Sequence, residues 1–446
     1  MHFLDHLMDV LRANPQKDAV IWRGRAFRYA WLCEAVSRWD SLLEESSVKP
    51  GSVVSVEADF SPDAIGLLLA LIRRSCIVVP LTASVEVKKS EFREIAQVET
   101  VIGLADGETA QVRSTGARVD HELLLGLRRE RHPGLILFSS GSTGRSKAVV
   151  HDLVPLLEKF TVPRQTLRTI TFLLFDHIGG INTLLYSLSN AGCVITVQQR
   201  LPDVVCAAIE KHKVQLLPTS PTFINLLLVS GAHRRHDLSS LEMVTYGTEV
   251  MPESTLKGFH ELFPKIRLLQ TYGLSEVGIL RSSSRSSDSL WVKIGGDGFR
   301  TRVVDGMLEI KARSAMLGYL NAASPFTADG WFKTGDAVEV DGEYFRILGR
   351  KSELINVGGE KVYPVEVESV LQAMEGVETV AVRGESHPIT GQIVCARVKL
   401  QTNETVSEFR NRMFAHCREK LPRFKIPQKV SLVSEDIHGA RFKKMR

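Results

Sequence analysis

The sequence predicts an α/β protein with a smaller α+β unit at its C-terminal end, on three observations. Over roughly the first 350 residues, short apolar β-type runs alternate with helical patterns, which is the mark of layered, largely parallel sheets. From about residue 280 to 348 the chain turns to Gly, Asp and short apolar runs, which predicts antiparallel hairpins. The last hundred residues combine helical and alternating patterns in one compact stretch. A chain of 446 residues has room for a large core and two or more domains.

Taken in order, residues 53–56, 76–80, 194–197 and 216–219 are predicted strands. Between them, residues 63–73 and 202–212 are amphipathic and predict helices. Residues 307–310 and 344–347 belong to the predicted hairpins. Pro364 suits the first turn of a helix. Val367, Val370, Leu371 and Met374 then give that helix one apolar face. Residues 377–382 and 392–400 alternate like strands. Ser407 is the expected cap of a last helix that turns Phe409, Met413, Cys417 and Leu421 inward. The expected division is a domain over 1–349 and a second over 350–446.

Composition narrows the class. Hydrophobic residues make 44% of the chain and charged residues 24%, ordinary for a globular protein. Residues 1–16 mix Asp5, His6, Asp9 and Arg12 among apolar positions, unlike a signal peptide. The longest apolar run, residues 64–72, is too short to span a bilayer, so no transmembrane segment is expected. Six cysteines are scattered at 33, 76, 193, 206, 395 and 417 without a CxxC pair. That pattern argues against a disulfide framework or a zinc site and predicts a cytoplasmic protein. Residues 350–446 hold 17 Lys+Arg against 12 Asp+Glu, a net of +5, while the rest is balanced at 39 of each. The excess charge points to an anionic partner. No recognition motif points to nucleic acid. Oligomeric state is not legible.

The most informative stretch is residues 139–150, which follow the apolar run 135–138. Gly141 and Gly144 allow tight bends and close approach to a ligand. Ser139, Ser140, Ser142 and Thr143 supply hydroxyls, the backbone N–H groups can form an anion nest, and Lys147 adds a positive charge. This reads as a phosphate cradle. It is not a P-loop, which requires Gly-Lys-Ser/Thr, because Ser146 precedes and Ala148 follows Lys147.

Three further motifs follow in order: Thr271-Tyr272-Gly273-Leu274-Ser275-Glu276, Trp331-Phe332-Lys333-Thr334-Gly335-Asp336, and the segment from Gly349-Arg350 through Val357-Gly358-Gly359-Glu360-Lys361 to Pro364. With the cradle first, their order and spacing resemble the adenylate-forming (AMP-binding) superfamily, which includes acyl- and aryl-CoA synthetases and stand-alone adenylation domains. The resemblance runs from about residue 20 onward. It implies a large N-terminal domain of two α/β sheets plus a distorted β-barrel, and a small mobile C-terminal domain with a hinge near 350–352. It implies an acid–thiol ligase. ATP and a small carboxylic acid form an acyl-adenylate with release of pyrophosphate. The acyl group then passes to coenzyme A or to the phosphopantetheine of an acidic acyl carrier protein. A non-catalytic nucleotide-binding regulator is the reading from another class.

Roles follow residue by residue. Residues 139–147 would cradle the β- and γ-phosphates, and Glu276, beside Ser275, is the expected Mg²⁺ ligand. Tyr272, beside Gly273, would stack on adenine, and Asp336 would accept from the ribose hydroxyls with Arg350 nearby. Gly247-Thr248-Glu249 resembles the loop lining the adenine and acyl pocket. Gly358, Gly359 and Lys361 fall in the segment expected at the thiol tunnel. Lys443 is the expected catalytic lysine, with Lys444 its rival, and Phe442 stands where glycine is usual. Ser352 occupies the hinge position, where Asp or Lys is usual. His177 with Gly180 resembles the His-x-x-Gly beside the acid's carboxylate. Phe175-Asp176 equally resembles the Phe-Asp of amino-acid-activating domains, so both readings stand at this point. Chain length favours an aryl, succinylbenzoyl-type or medium acyl acid.

Overall fold

The computed structural model describes residues 2–104, 110–140, 145–439 and 442–445. Cradle residues Gly141, Ser142, Thr143 and Gly144 lie outside them.

Two seven-stranded sheets form the large body. In the first, Gly134–Ser140, Ile77–Pro80, Val53–Glu57 and Thr100–Gly103 run parallel. Its flanks are antiparallel: Ser146–Asp152 folds back on Gly134–Ser140, and the short Gly318–Tyr319 adds outside it. In the second, Arg267–Gln270, Met243–Tyr246, Leu216–Thr219, Arg168–Ile170, Cys193–Ile195 and Asp18–Trp22 are all parallel, with Arg25–Arg28 antiparallel at the edge. The strand expected over 194–197 is therefore Cys193–Ile195.

Helices that are apolar on nearly every side must be buried on every side. Pro62–Arg73 buries ten of its twelve residues and Ile178–Ser189 also buries ten of twelve. Both pack in one cluster with Val54, Val78 and Leu135 of the first sheet and Val20 and Val194 of the second. Ser61 caps the first of these helices by accepting from the Ala64 N–H at 3.1 Å, with Pro62 behind it.

The third body is a six-stranded antiparallel sheet ordered Ser282–Ser284, Trp291–Ile294, Tyr344–Arg350, Phe332–Asp341, Met307–Ala312 and Phe299–Val304. It occupies the place of the expected distorted barrel. The last body packs Pro364–Gln372 and Val406–Cys417 on a sheet built around the long hairpin Val377–His387 and Gly391–Leu400. Val367, Leu371, Phe409, Met413 and Cys417 are fully buried there. Ser352 lies exposed in the single turn Lys351–Glu353 that follows Tyr344–Arg350.

One expectation is corrected. The cap of the last helix is Thr405, not Ser407. Thr405 accepts from the Glu408 N–H, and Glu408 accepts from the Thr405 N–H at 2.8 Å, closing a capping box. The box needs Glu at its fourth position, which Thr405 has and Ser407 lacks. Thr405→Ala should therefore lower stability in urea unfolding by about 1 kcal/mol. Ser407→Ala should change it by less than about 0.5 kcal/mol.

Candidate active site

Parallel strands end in loops on one side of a sheet, and that side is where an open α/β fold can bind ligands. Here the carboxyl ends of both sheets face one cleft. The strand ending at Ser140 delivers Ser139, that ending at Thr219 delivers Pro218 and Thr219, and that ending at Tyr246 leads into Gly247 and Thr248. Arg267–Gln270 leads into Thr271, Gly273, Ser275 and Glu276. His177, Arg350 and Lys443 also line the cleft. The cleft continues past Thr248 and Leu274 to Glu249, Tyr272 and Asp336.

At the cradle end, Ser139 pairs with Lys147 across the hairpin. The Lys147 ammonium lies over the Tyr319 ring, 5.1 Å from its centroid. The Tyr319 hydroxyl donates to Glu276 Oε1 at 2.8 Å. Burial and the neighbouring Glu276 carboxylate raise the Tyr319 pKa, so the phenol keeps its proton. The loop carrying Glu276 is held from both sides: its carbonyl accepts from the Met316 N–H at 2.7 Å, and the Ser275 carbonyl accepts from His151 Nε2. Burial pushes the His151 pKa down to about 4, so the ring is neutral and its one proton serves that bond.

At the far end, Asp336 and Arg350 are register partners on neighbouring strands. Arg350 Nε lies 3.2 Å from Asp336 Oδ1, and the Tyr272 hydroxyl donates to Asp336 Oδ2 at 2.5 Å. Tyr272 is only 6% exposed, so its hydroxyl positions this carboxylate. Burial raises the Asp336 pKa, opposed by Arg350 and by the Tyr272 hydrogen bond. A carboxylate has about four acceptor positions, so Asp336 retains capacity for further hydroxyl donors.

The middle of the cleft is set by the turn before Ile178–Ser189. His177 caps this helix, Nδ1 accepting from the Gly179 N–H at 3.0 Å. With Nδ1 occupied as an acceptor, the neutral ring carries its proton on Nε2. A Cβ on Gly180 would lie 1.9 Å from the Leu174 carbonyl oxygen, so the helix can start here only with glycine. Asp176 is buried and its Oδ2 accepts from the Thr82 hydroxyl at 2.9 Å and from Ser84. His177 lines the cleft, whereas the Asp176 carboxylate is engaged with the loop after Ile77–Pro80. The walls nearby are apolar: Phe172, Leu173, Leu174, Ile178 and Ile279. Behind Ile279, Lys159 donates to its carbonyl at 2.8 Å and to Asn182 at 2.6 Å, and burial pushes the Lys159 pKa down to about 7.

The two terminal lysines part company. Lys443 lines both halves of the cleft. Lys444 is buried against Glu368, with Nζ 3.0 Å from the carboxylate and side-chain exposures of 7% and 1%. Glu249, expected to line the pocket, does so while it clamps the tail: one oxygen accepts from the Thr222 N–H at 2.8 Å and from the Thr222 hydroxyl, the other from the Lys444 N–H at 3.2 Å. Gly358 and Gly359 form a left-handed turn, at φ +61° and +94°, and Lys361 is exposed. These three line neither half of the cleft. Sequence reasoning missed Tyr319, His151, Arg200 and the clamping role of Glu249. Tyr319, His151 and Arg200 sit in none of the motifs: Tyr319 and His151 reach Glu276 and the Ser275 carbonyl through pairings distant in sequence, and Arg200 lines the cleft while its Nε donates to the Phe172 carbonyl at 2.5 Å.

The chain belongs to the AMP-binding enzyme family: that family's model matches residues 8–330, and the model of the AMP-binding enzyme C-terminal domain matches residues 366–441. It is 26% identical to an indoleacetate–CoA ligase of Aromatoleum aromaticum, over 95% of this chain and 92% of that protein. It is 27% identical to a feruloyl-CoA synthase of an Amycolatopsis species, over 94% and 92%. The fold is similar to that of the anthranilate CoA ligase AuaEII solved with anthranoyl-AMP, at TM-score 0.82 and 20% identity over 99% of this chain and 95% of that one.

The buried His151 gives a pH signature. Its folded pKa lies below the ordinary value, so the unfolded chain takes up the proton first as pH falls. Its contribution is fully present above about pH 6.5 and is lost between there and about pH 4, to a total of about 3 kcal/mol. His151→Gln keeps a donor for the Ser275 carbonyl but does not titrate. Its unfolding midpoint should fall less between pH 6.5 and 4.5 than that of the parent protein, as read by thermal melts.

Proposed function

We propose that this chain is an AMP-forming acid–CoA ligase, acting on an aryl or similarly flat carboxylic acid. The observation that carries the reading is one cleft that brings Lys443, from the C-terminal body, together with His177, Ser139 and Glu276 from the large body.

A carboxylate resists nucleophiles because its carbon is shielded by negative charge. In the first step a carboxylate oxygen attacks the α-phosphorus of ATP. The bond from that phosphorus to the bridging oxygen breaks and pyrophosphate leaves. Such transfers need positioning and charge neutralisation more than covalent help. His177 Nε2–H would donate to the acid's carboxylate, held by the helix cap. Asp336, braced by Tyr272 and Arg350, would accept from the ribose hydroxyls. Lys443 would neutralise charge at the reacting oxygens. Ser139 and Lys147 would face the phosphates. Glu276 fits a Mg²⁺ site, since this ion binds through one or two carboxylates plus substrate phosphates, and its chemistry when bound is to offset phosphate charge. In the second step the CoA sulfur attacks the acyl carbon, the bond to AMP breaks, and the thiol proton goes to solvent.

Three features refine the reading. The apolar walls and Gly179 suit a flat ring, in keeping with relatives named for indoleacetate and ferulate. The hinge expected at residues 350–352 would separate bodies 1–349 and 350–446. All six cysteines are free, which suits a reducing cytoplasm. No helix among the described residues is long and apolar enough to cross a membrane.

Lys443→Ala should lower acid-dependent pyrophosphate release by about 100-fold, near 3 kcal/mol of transition-state stabilisation, with ATP binding and melting temperature unchanged. Lys444→Ala instead leaves Glu368 buried without its cation and should destabilise the fold by about 3–5 kcal/mol. Pyrophosphate release from MgATP across aryl, fatty and amino acids, with and without CoA, tests the function directly. Turnover that rises with CoA for an aryl acid supports it. A stoichiometric burst indifferent to CoA would replace CoA with a carrier protein, and silence across the panel would overturn the reading.

A further inference from the structure

We propose that Phe442 is a positioning residue that latches Lys443 into the cleft for the first half-reaction only. The inference rests on the reading of Lys443 given above.

Phe442 has φ +47°, a left-handed conformation that L side chains rarely adopt. Such a conformation persists only where surrounding contacts over-determine it. Here they do. The Phe442 ring meets Phe172 at 5.3 Å between centroids, Phe223 at 5.7 Å edge-on, and His438 stacked at 4.9 Å. Phe172 and Phe223 belong to the core of the large body and are 1% and 0% exposed. The latch therefore joins the tail to a surface that cannot yield.

The backbone is fastened at the same place. The Phe442 carbonyl accepts from the Ser220 hydroxyl at 2.7 Å. The same Ser220 oxygen caps the helix that carries Phe223. The Phe442 N–H donates to the Gly439 carbonyl at 2.9 Å, and the Lys443 carbonyl accepts from the Gly439 N–H at 3.0 Å. Glu249 holds the next residue through the Lys444 N–H. With ring and backbone fixed on either side, Lys443 is presented to both halves of the cleft.

The latch has a cost in space. Phe442 lines the cleft with Phe172 and Lys443, and the two halves of the cleft hold about 160 and 70 Å³ with it in place. Both are below the roughly 300–1,000 Å³ of small-molecule sites. Delivery of a thiol to the acyl carbon needs the tail to withdraw. Phe442 thus favours adenylation and must release before transfer.

Phe442→Gly tests this without unfolding the chain, because glycine accepts φ +47° freely. Phe442→Leu keeps part of the apolar contact. Acid-dependent ATP–pyrophosphate exchange reads the first half-reaction. Transfer from preformed acyl-adenylate to CoA reads the second. Trypsin cleavage after Lys443 and Lys444 reads tail docking with no catalysis involved. Phe442→Gly should cut the exchange kcat at least tenfold with little change in KM for ATP. Phe442→Leu should fall between it and the parent. Transfer should be unchanged or faster, and tail cleavage at least tenfold faster. Exchange within twofold of the parent, a parallel fall in both half-reactions, or unchanged tail cleavage each overturns the proposal. Failure of the proposed function shows differently: the parent protein itself would show no acid-dependent pyrophosphate exchange, and the trypsin readout would still judge the latch.

Discussion

A layer of apolar helices held between two parallel sheets sets the distances in the cleft. Pro62–Arg73 and Ile178–Ser189 cannot face water, so both sheets must close on them. Once closed, the carboxyl ends of the two sheets have one orientation relative to each other. The start of Ile178–Ser189 is fixed further by Gly180 against the Leu174 carbonyl, and that start carries His177. Dense packing makes this a rigid frame rather than an adaptable one. Loops that end on it inherit its precision.

On that frame the polar groups are arranged in braced pairs. Asp336 is braced by Tyr272 and Arg350, Glu276 by Tyr319, and Glu368 by Lys444. Asp336 and Glu368 lie where burial would penalise a lone charge, and their partners offset that penalty. The groups that touch the cleft are thereby oriented before any ligand arrives, which is what charge stabilisation in a transfer reaction requires. Lys443 differs in kind. Its position depends on contacts between the tail and the large body, through Phe442, Ser220 and Glu249, and not on the frame alone.

Much of this was legible in the residues. The strands near 53, 77 and 216 and the helices over 62–73 and 202–212 follow from apolar runs and periodicity, because local pattern and burial agree there. The motifs of residues 139–147, 247–249 and 271–276 were legible because each stands at the end of a strand, where turn chemistry is local, whereas Asp336 lies within the strand Phe332–Asp341. The roles that sequence left ambiguous are those decided by distant partners. Asp176 and His177 are neighbours in the chain, yet only the position of Thr82, 94 residues away, shows where the Asp176 carboxylate is engaged. Tyr272 reads as a stacking ring, and only the position of Asp336, 64 residues on, shows that its hydroxyl also braces a carboxylate. The expected cap, Ser407, gives way to Thr405, whose reciprocal bonds with Glu408 start the helix two residues earlier.

The sequence by itself determined the layers, the family motifs and the residue types that could serve phosphate, ribose and acid, since these depend on periodicity and on turns a few residues long. Only the tertiary structure decided which lysine faces the cleft, which acidic groups brace and which clamp, and that a phenylalanine in a left-handed turn fastens the tail. Those outcomes depend on pairings across tens to hundreds of residues, where burial fixes the partner of each charge and no local pattern records it.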